Sequence, residues 1–215
     1  MGSTRLPGKV LKPVASRPLL GHVVGRLEML RHAHRPVVAT TIESADDNIA
    51  SWCDQQGVAY FRGSEQDVLA RYEDAARQFD LDPVIRLTAD NPFTDMDELD
   101  RLINLHQRDR NDFSHSFTAL PVGVGAEIFS FDALSRSARE GLAPHHREHV
   151  NDYMIENPQV FRTGTLTVAS VKNRPDVRLT VDTEADYRRA CFIAERAQGK
   201  WATTEEAIAL CSRFA

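Results

Sequence analysis

Three short apolar runs, separated by stretches of helical period, constrain this 215-residue chain more than any other feature. Pro36-Val-Val-Ala-Thr-Thr41, Val58 to Arg62 and Pro83-Val-Ile-Arg-Leu-Thr88 are rich in β-branched residues and read as buried strands. Between the first two, Asp46 or Asp47 can cap a helix that carries Ile49, Trp52 and Cys53 and stops at Gly57. Between the second and third, Glu65 to Phe79 sets Val68, Leu69, Tyr72, Ala75, Ala76 and Phe79 on one helical face. Strands joined by single helices imply parallel βαβ crossovers and an α/β fold. A further helix, Pro18 to His32, precedes them, with Leu19, Leu20, Val23, Val24, Leu27 and Leu30 at helical spacing. Ligands of such sheets sit beyond the carboxyl ends of strands. Asp90 and the Arg62-Gly63-Ser64 loop lie at such ends.

The second half alternates less regularly. Helices are predicted over 97–109, 131–140, 144–156, 183–198 and 203–214, and strands over 112–118, 127–131, 160–170 and 177–181. The Pro121–Gly125 turn, Pro-Val-Gly-Val-Gly, separates two of those strands. With no repeat or linker, residues 1–215 read as one α/β domain carrying an inserted or appended antiparallel part.

A net charge of −5 and a pI near 5.9 argue against nucleic acid as a partner. No apolar leader and no run of 18 apolar residues is present, so neither secretion nor membrane spanning is indicated. Cys53, Cys191 and Cys211 are widely spaced, which suits a reduced, cytoplasmic compartment.

The chemistry-bearing residues cluster at three places. Met1-Gly2-Ser3-Thr4-Arg5-Leu6-Pro7-Gly8-Lys9 combines glycines, hydroxyls and two cations, a composition that can cradle phosphates or form a frayed basic terminus. Asp90 and Asp182 each follow a predicted strand; together they can hold Mg²⁺, or each can serve as a turn or helix-cap residue. His145-His146-Arg147-Glu148-His149 places His145 and His149 on one helix face, but no further His or Cys lies nearby. Substrate contacts or capping are therefore favoured over zinc. Asp95-Met96-Asp97 looks like the DxD of nucleotide-sugar glycosyltransferases, yet suits the start of the following helix better. No GxSxG, GxGxxG or Walker pattern supports acyl hydrolysis, hydride transfer or a P-loop.

Several blocks resemble the cytidylyltransferases that make CMP-activated sugar acids, and the SpsF-type branch in particular. They are Gly2 to Leu11, Phe61-Arg62-Gly63-Ser64 with Asp67 to Tyr72, Arg86 to Pro92, Glu127-Ile128-Phe129, Arg147 to Val150 and Thr180 to Thr183. They run across nearly the whole chain in the expected order. The resemblance implies a nucleotide-diphospho-sugar transferase fold, a Rossmann-like mixed sheet flanked by helices. It divides the chain into a nucleotide-binding half, 1–118, and an acceptor and closing half, 119–215. It implies CTP as nucleotide, a small acidic sugar as acceptor, Mg²⁺ as cofactor and a homodimer. Gly2, Ser3, Arg5, Lys9, Arg62 and Gly63 would bind nucleotide. Asp90 and Asp182 would bind metal, and Lys9, Arg5 and Asp90 would act in catalysis. Glu127, Arg147, His149 and Arg178 would face the acceptor.

Two departures accompany the resemblance. The turn Pro121-Val-Gly-Val-Gly-Ala-Glu127 lacks the acidic residue usual in that branch, which implies an altered acceptor pocket. The family's first central strand, which precedes the phosphate loop, has no counterpart before Met1. Residues 37–41 and 84–88 are then expected to stand about 9–10 Å apart, two interstrand spacings, with unpaired inner edges. Met1 is accordingly expected to be an internal methionine of the native chain. A glycosyltransferase of similar fold, or an inactive truncated nucleotide-binding domain, are the competing readings.

Overall fold

A two-residue hairpin, Pro13–Val14 (β1) with Arg17–Pro18 (β2), opens the computed structural model, which describes residues 3–214. Gly2 lies outside the described residues. The helix Leu19–Arg26 (α1) follows but does not reach His32 as its apolar spacing predicts. The chain tightens into a 3-10 turn at Leu27–Met29, and the backbone N–H groups of Arg31 and His32 donate to the Asp100 carboxylate instead of continuing the helix.

The expected crossovers are present. Val37–Thr41 (β3) and Ala59–Gly63 (β4) pair in parallel over five residues, joined through Asp47–Gln56 (α2), which Gly57 closes at φ 65°. Val68–Phe79 (α3) starts later than predicted because the Asp67 side chain accepts from Ala70 N at 2.9 Å and caps it there. Val84–Arg86 (β5), Met96–Asp109 (α4) and Phe113–His115 (β6) come next. Glu127–Phe129 (β7), Phe131–Glu140 (α5), Pro144–Glu148 (α6) and Asp152–Glu156 (α7) continue the chain. Thr163–Thr165 (β8), Glu184–Arg196 (α8) and Thr204–Cys211 (α9) complete it.

Strands β5, β7, β6 and β8 form one mixed sheet in that order. The antiparallel part expected of the second half is β7, seated between β5 and β6 and antiparallel to both. Register puts Val84, Phe129 and Phe113 in one row, with the two phenyl rings stacked at 5.2 Å. That face packs on α3, α5 and α7 through Leu69, Leu134 and Met154. Ile85 and Ile128 face the other way, onto α4 and α8 through Leu99, Leu102 and Ile193.

Elements of the second half also break or shorten relative to the sequence expectation. The helix predicted over 144–156 breaks into α6 and α7, because Val150 between them is drawn fully into the core. Only Thr163–Thr165 of 160–170 pairs, since β6 offers just three residues. The 177–181 run makes a single bridge, Val122 with Arg178, because its partner is a turn and not a strand.

Among the described residues β3 pairs only with β4, and β5 only with β7. A cavity of about 740 Å³ opens along the free edges, lined by Val37, Val38 and Ala39 of β3, Val84, Ile85 and Arg86 of β5, and helix residues such as Val23, Tyr72 and Ile103. A five-residue strand occupies about 800 Å³, taking about 3.3 Å per residue, about 4.8 Å between strands and about 10 Å between layers. The expected unpaired inner edges are therefore present among the described residues, both lining this cavity.

Candidate active site

The chain brings Asp90 and Asp182 together by backbone lacing. Val181 N donates to the carbonyl of Asp90 at 2.9 Å, joining the loop after β5 to the loop before α8. The Pro121–Gly125 turn holds the same segment from the other side: Val122 N donates to Val177 O, and its carbonyl accepts from Leu179 N and Thr180 N. Gly123, at φ 91°, is required here, because a Cβ would stand 2.6 Å from Thr180 N.

Neither aspartate is occupied as a helix cap. Thr183 caps α8 in a capping box whose N3 residue is Asp186, the pattern spelled by Thr183-Glu184-Ala185-Asp186. Asp95 caps α4, accepting from Glu98 N at 3.0 Å, so the Asp95-Met96-Asp97 triplet is a helix start. Both carboxylates are left to face a cation, and the Lys9 ammonium supplies it. Lys9 Nζ lies 2.8 Å from Asp90 Oδ2, 2.9 Å from Asp182 Oδ1 and 2.8 Å from the carbonyl of Val181. Burial opposes the ammonium charge, but hydrogen bonds and attraction from Asp90 and Asp182 raise its pKa above the usual 10.5.

Lys9 reaches this point because Leu6 is buried in the core and Gly8 turns at φ 68° into a single 3-10 turn, Lys9–Leu11. Ser3 Oγ accepts from Leu6 N at 3.2 Å and shapes the same bend. Arg5 extends to 3.3 Å from Asp182 with its side chain 64% exposed. Arg178, expected to face the acceptor, pairs with Asp182 through Nη2 and lies 3.8 Å from Asp186. Three cations thus surround the two carboxylates.

The remaining predicted residues lie elsewhere and are engaged with the protein itself. Arg62 donates to Thr41 O at 2.8 Å and Glu43 O at 2.9 Å and pairs with Asp47, so it staples β4 to the loop after β3. Gly63 is packed against Phe61 and Arg71, where a Cβ would meet carbons at 2.8 and 3.0 Å. Glu127 is buried opposite Arg86 in the β5–β7 register, pairs with it, and accepts from Asn151 Nδ2 at 2.6 Å. Arg147 grips Asp67 at the start of α3 and donates to Ala138 O at 2.7 Å. His149 lies exposed at the end of α6. Its backbone N–H donates to His145 O at 2.8 Å, while the His145 imidazole bonds Glu156 and lies beside the His146 ring.

Asp46, which the sequence offers as a helix cap, also organises the loop after β3. Its carboxylate accepts from Thr40 Oγ1, Thr41 Oγ1 and Thr41 N. Burial disfavours the charge, but these hydrogen bonds hold the carboxyl well below its usual range.

A cytidylyltransferase family model matches residues 1–210. The chain is 35% identical over 202 residues to the spore coat polysaccharide biosynthesis protein SpsF of Bacillus subtilis, covering 92% of this chain and 84% of that one. It is 34% identical over 187 residues to an uncharacterized protein of Methanocaldococcus jannaschii, covering 87% and 76% respectively. Its fold superposes on a cytidylyltransferase from Leptospira borgpetersenii serovar Hardjo-bovis with a TM-score of 0.90 at 31% identity, covering 99% of this chain and 90% of that one. Among the described residues no helix is long and apolar enough to cross a membrane.

Proposed function

The chain belongs to the cytidylyltransferase family, and from that premise we propose that it transfers a cytidylyl group from CTP to a sugar acid or related acceptor. The product would serve surface-polysaccharide assembly, as the name of the Bacillus relative suggests. The observation that carries this reading is the meeting of Lys9, Asp90 and Asp182. Two carboxylates from loops 92 residues apart in sequence converge within 2.8–2.9 Å of one cationic atom.

That donor set fits Mg²⁺, since the Lys9 ammonium already stands where two carboxylate oxygens favour a cation. When bound by Asp90 and Asp182, Mg²⁺ would offset charge on the reacting phosphate and help orient it. With Asp90 and Asp182 holding the ion, the Lys9 ammonium would be available to phosphate oxygens as a point charge. Arg5, mostly exposed and only 3.3 Å from Asp182, swings its planar fork onto the triphosphate. Ser3 and the bend at Gly8 hold the turn that presents both cations. An acceptor oxygen attacks the α-phosphorus in line, the bond to the bridging oxygen breaks, and pyrophosphate leaves with the electron pair. Arg178 stabilises Asp182 from the far side. Glu127 and Arg147 hold the strands and helices around the acceptor, and His149 stays free to touch it.

We place the reaction in the cytoplasm and the protein in a homodimer, which sedimentation velocity tests. The activity is tested by screening sugar acids with CTP and Mg²⁺ for pyrophosphate release. Release that disappears in Lys9→Met supports the reading. Sugar transfer from a nucleotide sugar without pyrophosphate would instead identify a glycosyltransferase.

A further inference from the structure

We propose that His145, His146 and Glu156 form a second metal site, selective for a divalent transition ion of the zinc class. It lies apart from the Lys9 cluster and does not depend on the cytidylyl-transfer reading. The three residues come from α6 and α7, which the break at Val150 folds against each other.

His145 Nε2 lies 2.8 Å from Glu156 Oε1, and His146 Nε2 lies 2.7 Å from Glu156 Oε2. The two imidazole centroids are 4.1 Å apart, and all the candidate ligand atoms fall within 4.8 Å of one another. Ligand atoms of a tetrahedral zinc ion, each about 2.0–2.2 Å from the metal, stand roughly 3.3 Å apart. Opening each hydrogen bond by about half an ångström and drawing the imidazoles together admits the ion.

The donor chemistry selects the class. Two imidazoles and one carboxylate match three-ligand zinc sites that keep a fourth position open. Mg²⁺, which prefers an all-oxygen octahedron, is a poor competitor. Access is also suitable: His145 and Glu156 are each 49% exposed, whereas the His146 side chain is 10% exposed and anchors the site.

The protons set the strength. Each neutral imidazole donates Nε2–H to the carboxylate, and metal binding moves that proton to Nδ1. Water can receive the proton's hydrogen bond at half-exposed His145. His146 Nδ1 is buried without a partner, so placing a proton there costs affinity. The bound ion would tie α7 to α6, and through Arg147 steady Asp67 at the start of α3.

Calorimetric titration of the full chain with zinc chloride, at saturating Mg²⁺, tests the proposal. One saturable zinc equivalent is expected, weakened at least about tenfold in both His145→Ala and Glu156→Gln. Titration with Co²⁺ should produce the visible bands of a tetrahedral site in the parent and not in His145→Ala. Because His145 is half exposed, that variant should keep the parent's circular dichroism, and Glu156→Gln provides an independent second variant. Absence of saturable zinc binding, or equal affinity in the parent and both variants, overturns the proposal.

Discussion

Two lysines in this molecule each bridge a pair of carboxylates, and they have opposite consequences. Lys9 lies 2.8 and 2.9 Å from Asp90 and Asp182; Lys172 lies 2.8 and 3.2 Å from Asp95 and Glu98, with Glu205 at 3.9 Å. The lysine side chains are nearly equally covered, at 11% and 12% exposed. Their partners differ. Asp95 and Glu98 are each 6% exposed, whereas Asp90 and Asp182 are 28% and 18% exposed. Asp95 also caps α4 and accepts from Thr204 Oγ1 at 2.6 Å, and Glu98 is paired with Arg101. Asp90 and Asp182 have been relieved of capping by their neighbours. An ion cluster becomes a candidate site when its carboxylates carry no other structural duty and stay within reach of solvent.

The largest expected break in that comparison is Lys172→Met. It removes the cationic partner of buried Asp95, while Glu98 keeps Arg101, and should cost about 3 kcal/mol of stability. Denaturant titration measures this, and pyrophosphate release per folded molecule should change little. Acid sharpens the contrast. Burial opposes the Asp95 charge, but hydrogen bonds from Lys172, Thr204 and the Glu98 backbone lower its pKa below the usual 3.8. Its contribution is present above that value and lost as pH falls through the depressed one. Stability should therefore drop in acid in the parent, and less steeply in Lys172→Met.

Next in size, Lys9→Met should reduce turnover about 10²–10³-fold, equivalent to about 2.7–4 kcal/mol at the transition state. Its melting temperature should stay close to the parent's, because Arg5 and Arg178 remain beside Asp182 and the Asp90 side chain is 28% exposed to solvent. A large loss of stability with turnover retained would assign the Lys9 cluster to the same class as Lys172. The smallest effect belongs to the cap that frees Asp182. Thr183→Ala should cost about 1 kcal/mol by denaturant titration, with a modest fall in turnover as Asp182 becomes less fixed.

Much of this was legible in residue order. Strand and helix periods alternate cleanly through residues 36–88, and the parallel β3–β4 pair follows from them. The capping box before α8 is likewise spelled out, though only the fold shows that it releases Asp182. The Lys172 cluster could not be read, because Lys172 lies in an irregular segment and its partners are about 75 residues away, a distance no local period reports. The break at Val150 was hidden for a related reason: helical spacing continues through it, and tertiary burial overrides the local preference. The pairing of Arg178 with Asp182 is not legible either, because a single bridge, not a full strand, orients Arg178.

The free edges of β3 and β5 carry one last implication. In parallel β3 and antiparallel β5 alike, backbone amides that do not point to the bonded neighbour point to the opposite edge, here toward the cavity. Deuterium uptake should therefore be rapid at alternate positions in residues 37–40 and 84–86, and slow in between and at Thr41, whose N–H donates to Asp46. The middle of the molecule would exchange in a striped pattern, with labile and protected amides side by side on the same strand.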